Sequence, residues 1–226
     1  MPEEALFALL LSLRVALLAT VVAAVSGVAC ARLLARARFP GKEAVEAVLL
    51  LPLVLPPTVV GFGLLLLLSR NGLVGRLVPG GLLFTWPAAV IAAAVAAFPL
   101  VYQNARAAFA QVDPDQENAA RTLGAGELLV FFTVTLPLAW PGILAGIVLA
   151  FARALGEFGA TLMVAGNIPG KTQTVPMAIY FAVEAGDYRT ALPLVAIVLL
   201  FSFGVIFGLH RWSGRHIARY TGQRRG

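Results

Sequence analysis

"QVDPDQENAARTLGAGELLVFFTVTLPLAWPG" runs from Gln111 to Gly142 and joins two long apolar runs. Its first part carries helix signals at both ends. Asp113 suits an N-cap, Pro114 suits the first helical position, and Gln116 completes a capping-box-like pair. Gly124 stands where a glycine ends a helix. The spacing predicts an amphipathic helix between Asp113 and Gly124, a second helical piece from Glu127, and entry into the next apolar run at Leu136-Pro137. Asn118, Ala119 and Ala120, with Arg121 beside them, form a small-residue face that lets another protein approach closely. Connections of this length tend to carry function rather than merely join elements.

The flanking runs set the fold class. Of 226 residues, 60% are hydrophobic and 12% charged, against about 25% charged in soluble domains. Mean hydropathy is +0.89. This composition describes a polytopic membrane protein. A segment in lipid must satisfy its own backbone hydrogen bonds, and the unbroken apolar runs fit helices rather than the alternating strands of a barrel. The expectation is an all-α chain forming a single transmembrane domain over residues 1–226. The lone cysteine, Cys30, excludes an intramolecular disulfide and reads as a small buried hydrophobe. The acidic start, Met1-Pro2-Glu3-Glu4, argues for a retained first span rather than a cleaved signal. A net charge of +6 would suit nucleic acid, but the basic residues lie beside apolar spans and read as topology signals.

Five segments are long enough to cross a bilayer, which takes about 20 residues. They lie within Leu6–Leu34, Ala44–Leu68, Trp86–Ala108, Leu138–Ala165 and Ala191–Trp212. The apolar piece Val175–Val183 is too short and reads as a short loop helix or re-entrant segment. Connections one and three and the C-terminal tail carry eleven Lys and Arg residues: Arg32, Arg36, Arg38, Lys42, Arg106, Arg121, Arg211, Arg215, Arg219, Arg224 and Arg225. The opposite side carries four: Arg70, Arg76, Lys171 and Arg189. The bias places the C-terminus in the cytoplasm and the N-terminus outside. Trp86 and Trp212 fit as interfacial anchors, Arg14 as a snorkelling side chain, and His210 and His216 as interfacial residues.

Orientation decides how "VAGNIPGKTQT" (Val164–Thr174) is read. Ala165, Gly170, Lys171 and Thr172 have P-loop spacing with Ala for the first Gly. A working P-loop follows a strand and opens a helix, whereas a membrane helix precedes this stretch and Pro169 stands before Gly170-Lys171. On the extracytoplasmic side it meets no ATP. No ATPase site, metal site or bound cofactor is expected in this chain.

Within the long connection, Asn118-Ala119-Ala120, three residues, Gly124, nine residues and Val134-Thr135-Leu136-Pro137 resemble the cytoplasmic loop of ABC-importer permeases. That loop reads Glu-Ala-Ala, three residues, Gly, nine residues, Ile-x-Leu-Pro. Asn118 replaces its Glu and Val134 its Ile, and Glu117 falls one residue early. The chain is similar to molybdate permeases along nearly its whole length, through "FPGK" (Phe39–Lys42), "LPLVLPPTVVG" (Leu51–Gly61), "LAFARALGEFGAT" (Leu149–Thr161) and "GNIPGKTQTVPMAIY" (Gly166–Tyr180). Sulfate permeases share much of this framework.

The resemblance implies a type I ABC-importer permease fold with a coupling loop at 111–137, and an inner-membrane location in a bacterial or archaeal cell. It implies a homodimer, two cytoplasmic ATPase subunits that use the ATP, and an extracytoplasmic oxyanion-binding protein. Glu117, Asn118, Ala119, Ala120, Arg121 and Gly124 become the expected ATPase-coupling residues. The substrate would be molybdate or tungstate, or alternatively sulfate.

Arg153 and Glu157 are opposite charges inside an apolar span, four residues apart. Intramembrane charges face a bundle interior or a water-filled route. Two readings stay open: the pair lines the translocation pathway, with Arg153 attracting an oxyanion, or it is a neutralised pair that fixes packing. Pro52, Pro56 and Pro57 kink or interrupt the second span, and Gly156, Gly159 and Gly166 suit close packing. An intramembrane enzyme lacks a nucleophile or metal cluster in the spans. A bare membrane anchor would have no use for the Arg153–Glu157 pair.

Overall fold

The computed structural model describes residues 3–78 and 80–222; side chains at 36, 206 and 209–222 are outside the description. The expectations for Trp212, His210, His216 and the C-terminal arginines fall outside it. Among the described residues the regular structure is helical: α1 (Glu3–Arg36), α2 (Lys42–Val54), α3 (Pro57–Leu68), α4 (Trp86–Ala110), α5 (Pro114–Thr122), α6 (Glu127–Val130), α7 (Leu136–Leu155), α8 (Gly159–Ala165), α9 (Val175–Glu184) and α10 (Tyr188–Gly222). Four helical stretches are long and apolar enough to span a bilayer, and α2 with α3 makes a fifth when taken as one broken span.

α4 is the centre because its side chains are small. Ala88, Ala89, Ala92, Ala93 and Ala97 have no exposed surface, so α1 packs closely on α4, and α7 does the same. α7 meets α4 through glycines: a Cβ on Gly146 would sit 2.6 Å from the Asn104 Cβ, and one on Gly142 2.8 Å from the Ala108 Cβ. Association in lipid rests on this kind of backbone approach.

Charges mark the bilayer on two helices independently. The Arg14 guanidinium lies 4.0 Å over the Trp86 ring, so it stacks on the first residue of α4 rather than simply reaching for the interface. At the other end, Arg106 of α4 pairs with Glu46 of α2 at 2.9 Å. Trp86 to Arg106 is about 30 Å along α4 at a 1.5 Å rise, and Arg14 to Arg32 is about 27 Å along α1. Both match a hydrocarbon core of about 30 Å. Beyond Arg14, the start of α1 packs against α9 and α10, where Ala5, Ala8, Val175, Ala178 and Leu194 bury one another.

Two spans depart from expectation. Ala44–Leu68 is not one helix: α2 and α3 meet at 114°. Leu55 is extended (φ −69°, ψ 144°) before Pro56-Pro57, because a proline disfavours helical backbone in the preceding residue and two successive prolines supply no N–H. The fourth span starts at Glu127, well before Leu138, and its long helix ends at Leu155, so α8 is a separate piece. Phe131–Thr135 within that helix is a π turn in which the Leu136 N–H bonds Phe131 O. The wider turn accommodates Pro137, which can neither donate to the carbonyl four residues back nor fit against it.

Candidate functional site: the Gln111–Gly126 connection and two broken spans

α5 forms as the sequence dictates. The Asp113 carboxylate accepts the Asp115 N–H at 2.9 Å, and Pro114 opens the helix; the cap runs through Asp115 rather than a Gln116 side chain. At the other end Gly124 adopts φ +84°. The Gly124 N–H bonds Arg121 O and the Ala125 N–H bonds Ala120 O, at 2.9 and 3.1 Å. This paired closure needs a left-handed residue. Open space surrounds Gly124, so conformation rather than crowding selects glycine there.

The residues of α5 and the turn that ends it divide into two sets. Glu117 and Arg121 turn inward. The Glu117 carboxylate accepts the Thr135 hydroxyl at 2.5 Å, lies 3.9 Å from Arg32 of α1, and pairs with Arg121 at 3.1 Å. Arg121 also bonds Glu127 at 2.6 Å and Asn118 at 2.9 Å. The carboxylates of Glu127 and then Glu117 raise its pKa above the ordinary guanidinium value. Arg32 stacks 5.0 Å from the Phe131 ring. α5 is thereby tied to α1, to the start of the long helix and to its π turn. Asn118, Ala119 and Gly124 face solvent, with Ala120 half-buried. Beside them Leu123 is 89% exposed and Leu128 77%. Sequence reasoning passed over Leu123; its signal was a lone leucine at the end of an otherwise polar helix. It also passed over Glu46, a buried acid one turn past Lys42 in an apolar helix, which clamps α2 to α4 through Arg106.

The Gly166–Thr174 loop is closed on itself. The N–H groups of Lys171, Thr172 and Gln173 all point at Ile168 O, at 3.0, 2.9 and 3.1 Å. The fully buried Thr172 hydroxyl donates to Gly166 O at 3.0 Å and accepts the Ile168 N–H at 3.2 Å. The amides a phosphate cradle would use are spent inside the loop.

Arg153 and Glu157 do meet, at 2.6 Å, but not on one helix face. Arg153 closes α7, while Glu157 lies in the gap and its Oε1 accepts the Ala160 N–H of α8 at 2.9 Å. Gly159 is a packing glycine, since a Cβ there would lie 2.8 Å from the Pro57 Cβ. Gly156 is not, having only Ala152 O at 3.7 Å. Gly166 combines φ +67° with Phe84 at 3.1 Å.

α5 is thus a polar helix pinned to the bundle, with one face open to solvent. The sequence pattern of the family described as "Binding-protein-dependent transport system inner membrane component" matches residues 8–219. The molybdenum transport system permease protein ModB of Escherichia coli (strain K12) is 48% identical over 202 residues, 85% of this chain and 88% of that protein. The sulfate transport system permease protein CysT of Salmonella typhimurium is 34% identical over 214 residues, 93% of this chain and 77% of that protein. Among solved structures, the inward-facing MetNI methionine ABC transporter aligns with a TM-score of 0.71 at 17% identity, covering 93% of this chain and 97% of that one; this likeness establishes the fold. With residues 8–219 matched and the fold in agreement, the chain belongs to the family of binding-protein-dependent transport system inner membrane components.

Proposed function

We propose that the chain is the membrane-spanning subunit of an ATP-driven molybdate importer, working as a homodimer in the lipid bilayer with two cytoplasmic ATPase subunits and an extracytoplasmic binding protein. The observation that carries this is α5. Glu117 and Arg121 anchor it to the spans, while Asn118, Ala119, Leu123 and Gly124 present an open face that suits a groove on an ATPase. Movement of the ATPases on ATP binding would reach α7 through Glu127 and the π turn, and α1 through Arg32. The self-bonded amides of Lys171, Thr172 and Gln173 support a chain without an ATPase site, so ATP is used by the partner subunits. Identity of 48% to a molybdenum permease against 34% to a sulfate permease favours molybdate. The Lys and Arg bias supports an N-terminus outside and a C-terminus inside. Arg153 and Glu157 border the pathway.

One experiment tests substrate and orientation together. The permease is co-assembled with its ATPase in vesicles whose orientation is known. With ATP on the α5 side and binding protein with molybdate on the Lys171 side, uptake is expected. Transport only with the two sides exchanged would reverse the orientation, and sulfate uptake without molybdate uptake would overturn the substrate.

A further inference from the structure

The two broken spans meet at their breaks. Pro57 opens α3 and Gly159 opens α8, and a Cβ on Gly159 would lie 2.8 Å from the Pro57 Cβ and 3.7 Å from the Thr58 N. One turn on, a Cβ on Gly61 would lie 2.8 Å from the Ala160 Cα. α8 ends where Val164 O accepts the Phe84 N–H at 2.8 Å, close to the Trp86 level. Gly142 of α7 lies level with Ala108 of α4, and Leu155 is about 20 Å further along α7, so the gap at Gly156–Phe158 lies inside the hydrocarbon depth. Non-helical backbone at that depth persists where it is buried in protein or lines a water-filled cavity.

Arg153 and Glu157 occupy this meeting point unequally. Glu157 is shielded, its side chain 1% exposed. One of its oxygens accepts the Ala160 N–H, and the other faces Arg153. Arg153 is 32% exposed and its closest approach to Glu157 is through Nη1; its guanidinium makes no hydrogen bond to another residue among the described residues. A guanidinium partly open at this depth faces water or protein, not lipid. The Thr58 side chain is also exposed beside the junction.

Resting on the importer reading, we infer that Arg153 is a contact for the transported oxyanion where the two breaks meet, with the Thr58 hydroxyl as a second donor. Glu157 is a positioning residue that holds the guanidinium from behind. A planar fork with unused N–H groups matches two oxygens of a tetrahedral dianion. The carboxylate behind it keeps the pair near neutral, so the anion is drawn in without being trapped; conduction needs binding weak enough to release.

The test uses the full complex of permease, ATPase and binding protein in proteoliposomes, reading molybdate moved per ATP hydrolysed. Arg153→Gln with Glu157→Gln leaves no orphaned charge and keeps a polar side chain at both positions. This double variant should move about tenfold less molybdate per ATP than the wild type, the scale of one lost charged hydrogen bond. Arg153→Lys should retain more than the double variant, and Thr58→Val should lose about two- to threefold, the scale of one neutral hydrogen bond. A double variant with wild-type molybdate per ATP would overturn the inference. So would uptake and hydrolysis falling in parallel in every variant, which would mean a purely structural role. A wild-type complex that moves sulfate but not molybdate, still dependent on Arg153, would defeat the substrate reading and leave the oxyanion contact standing. A wild-type complex that moves no oxyanion would remove both.

Discussion

α5 and α8 are both short helices set beside the long α7, and they are held in opposite ways. α5 is fixed by charges at the surface: Arg121 bridges Glu117 and Glu127, Glu117 reaches Thr135, and one face is left open. α8 is fixed by the absence of room: Gly159 lies on Pro57, Ala160 lies under Gly61, and a buried carboxylate holds the first turn. Partly exposed ion pairs are individually weak and screened by salt, which suits the engagement of a partner proposed for α5. Glycine contacts and a desolvated charge pair are unforgiving, which suits a fixed junction inside the bilayer.

The largest effect is expected at Glu157. Removing one partner of a buried pair costs about 3–5 kcal/mol, and the partial exposure of Arg153 places the loss near 3. Glu157→Gln and Arg153→Gln should each lower thermal stability in detergent, and the double change should recover part of the loss. Strict additivity of the single effects would mean that the side chains do not interact.

A pair of glycines gives the next effect. Gly61→Val drives a side chain into the Ala160 backbone, and overpacking of this kind costs about 1–3 kcal/mol. Gly124→Ala meets no neighbour but must hold φ +84°, a strain of about 1 kcal/mol. Thermal unfolding of both variants should show the larger loss at Gly61. A larger loss at Gly124 would erase the distinction between a junction held by packing and a surface helix held by its caps.

The same contrast explains what the sequence discloses. Caps are local, so Asp113, Pro114 and Gly124 announce α5 directly, and the apolar runs announce α1, α4 and α10. The 114° bend at Leu55 was foreshadowed by Pro56-Pro57, but its angle depends on Gly61 and Gly159 meeting residues about a hundred positions away. No local pattern states that meeting. For the same reason Arg153 and Glu157 read as one helical face, when the helix stops between them at Leu155 and Glu157 is recruited by α8. The π turn escaped because Pro137 at the head of an apolar run looks like a start, whereas Arg121–Glu127 pairing carries the helix through from Glu127. Glu46 was hidden by its partner, Arg106, which looked like one more topology charge.

The most direct test of coupling through α5 is a cross-link. In a Cys30→Ala background, Leu123→Cys and Lys171→Cys are placed separately in the permease assembled with its ATPase. A short thiol cross-linker should join position 123 to the ATPase, with a yield that changes when ATP is bound, and should leave position 171 unlinked. Cross-linking at 171, or none at 123 in a complex that still imports molybdate, would contradict the account.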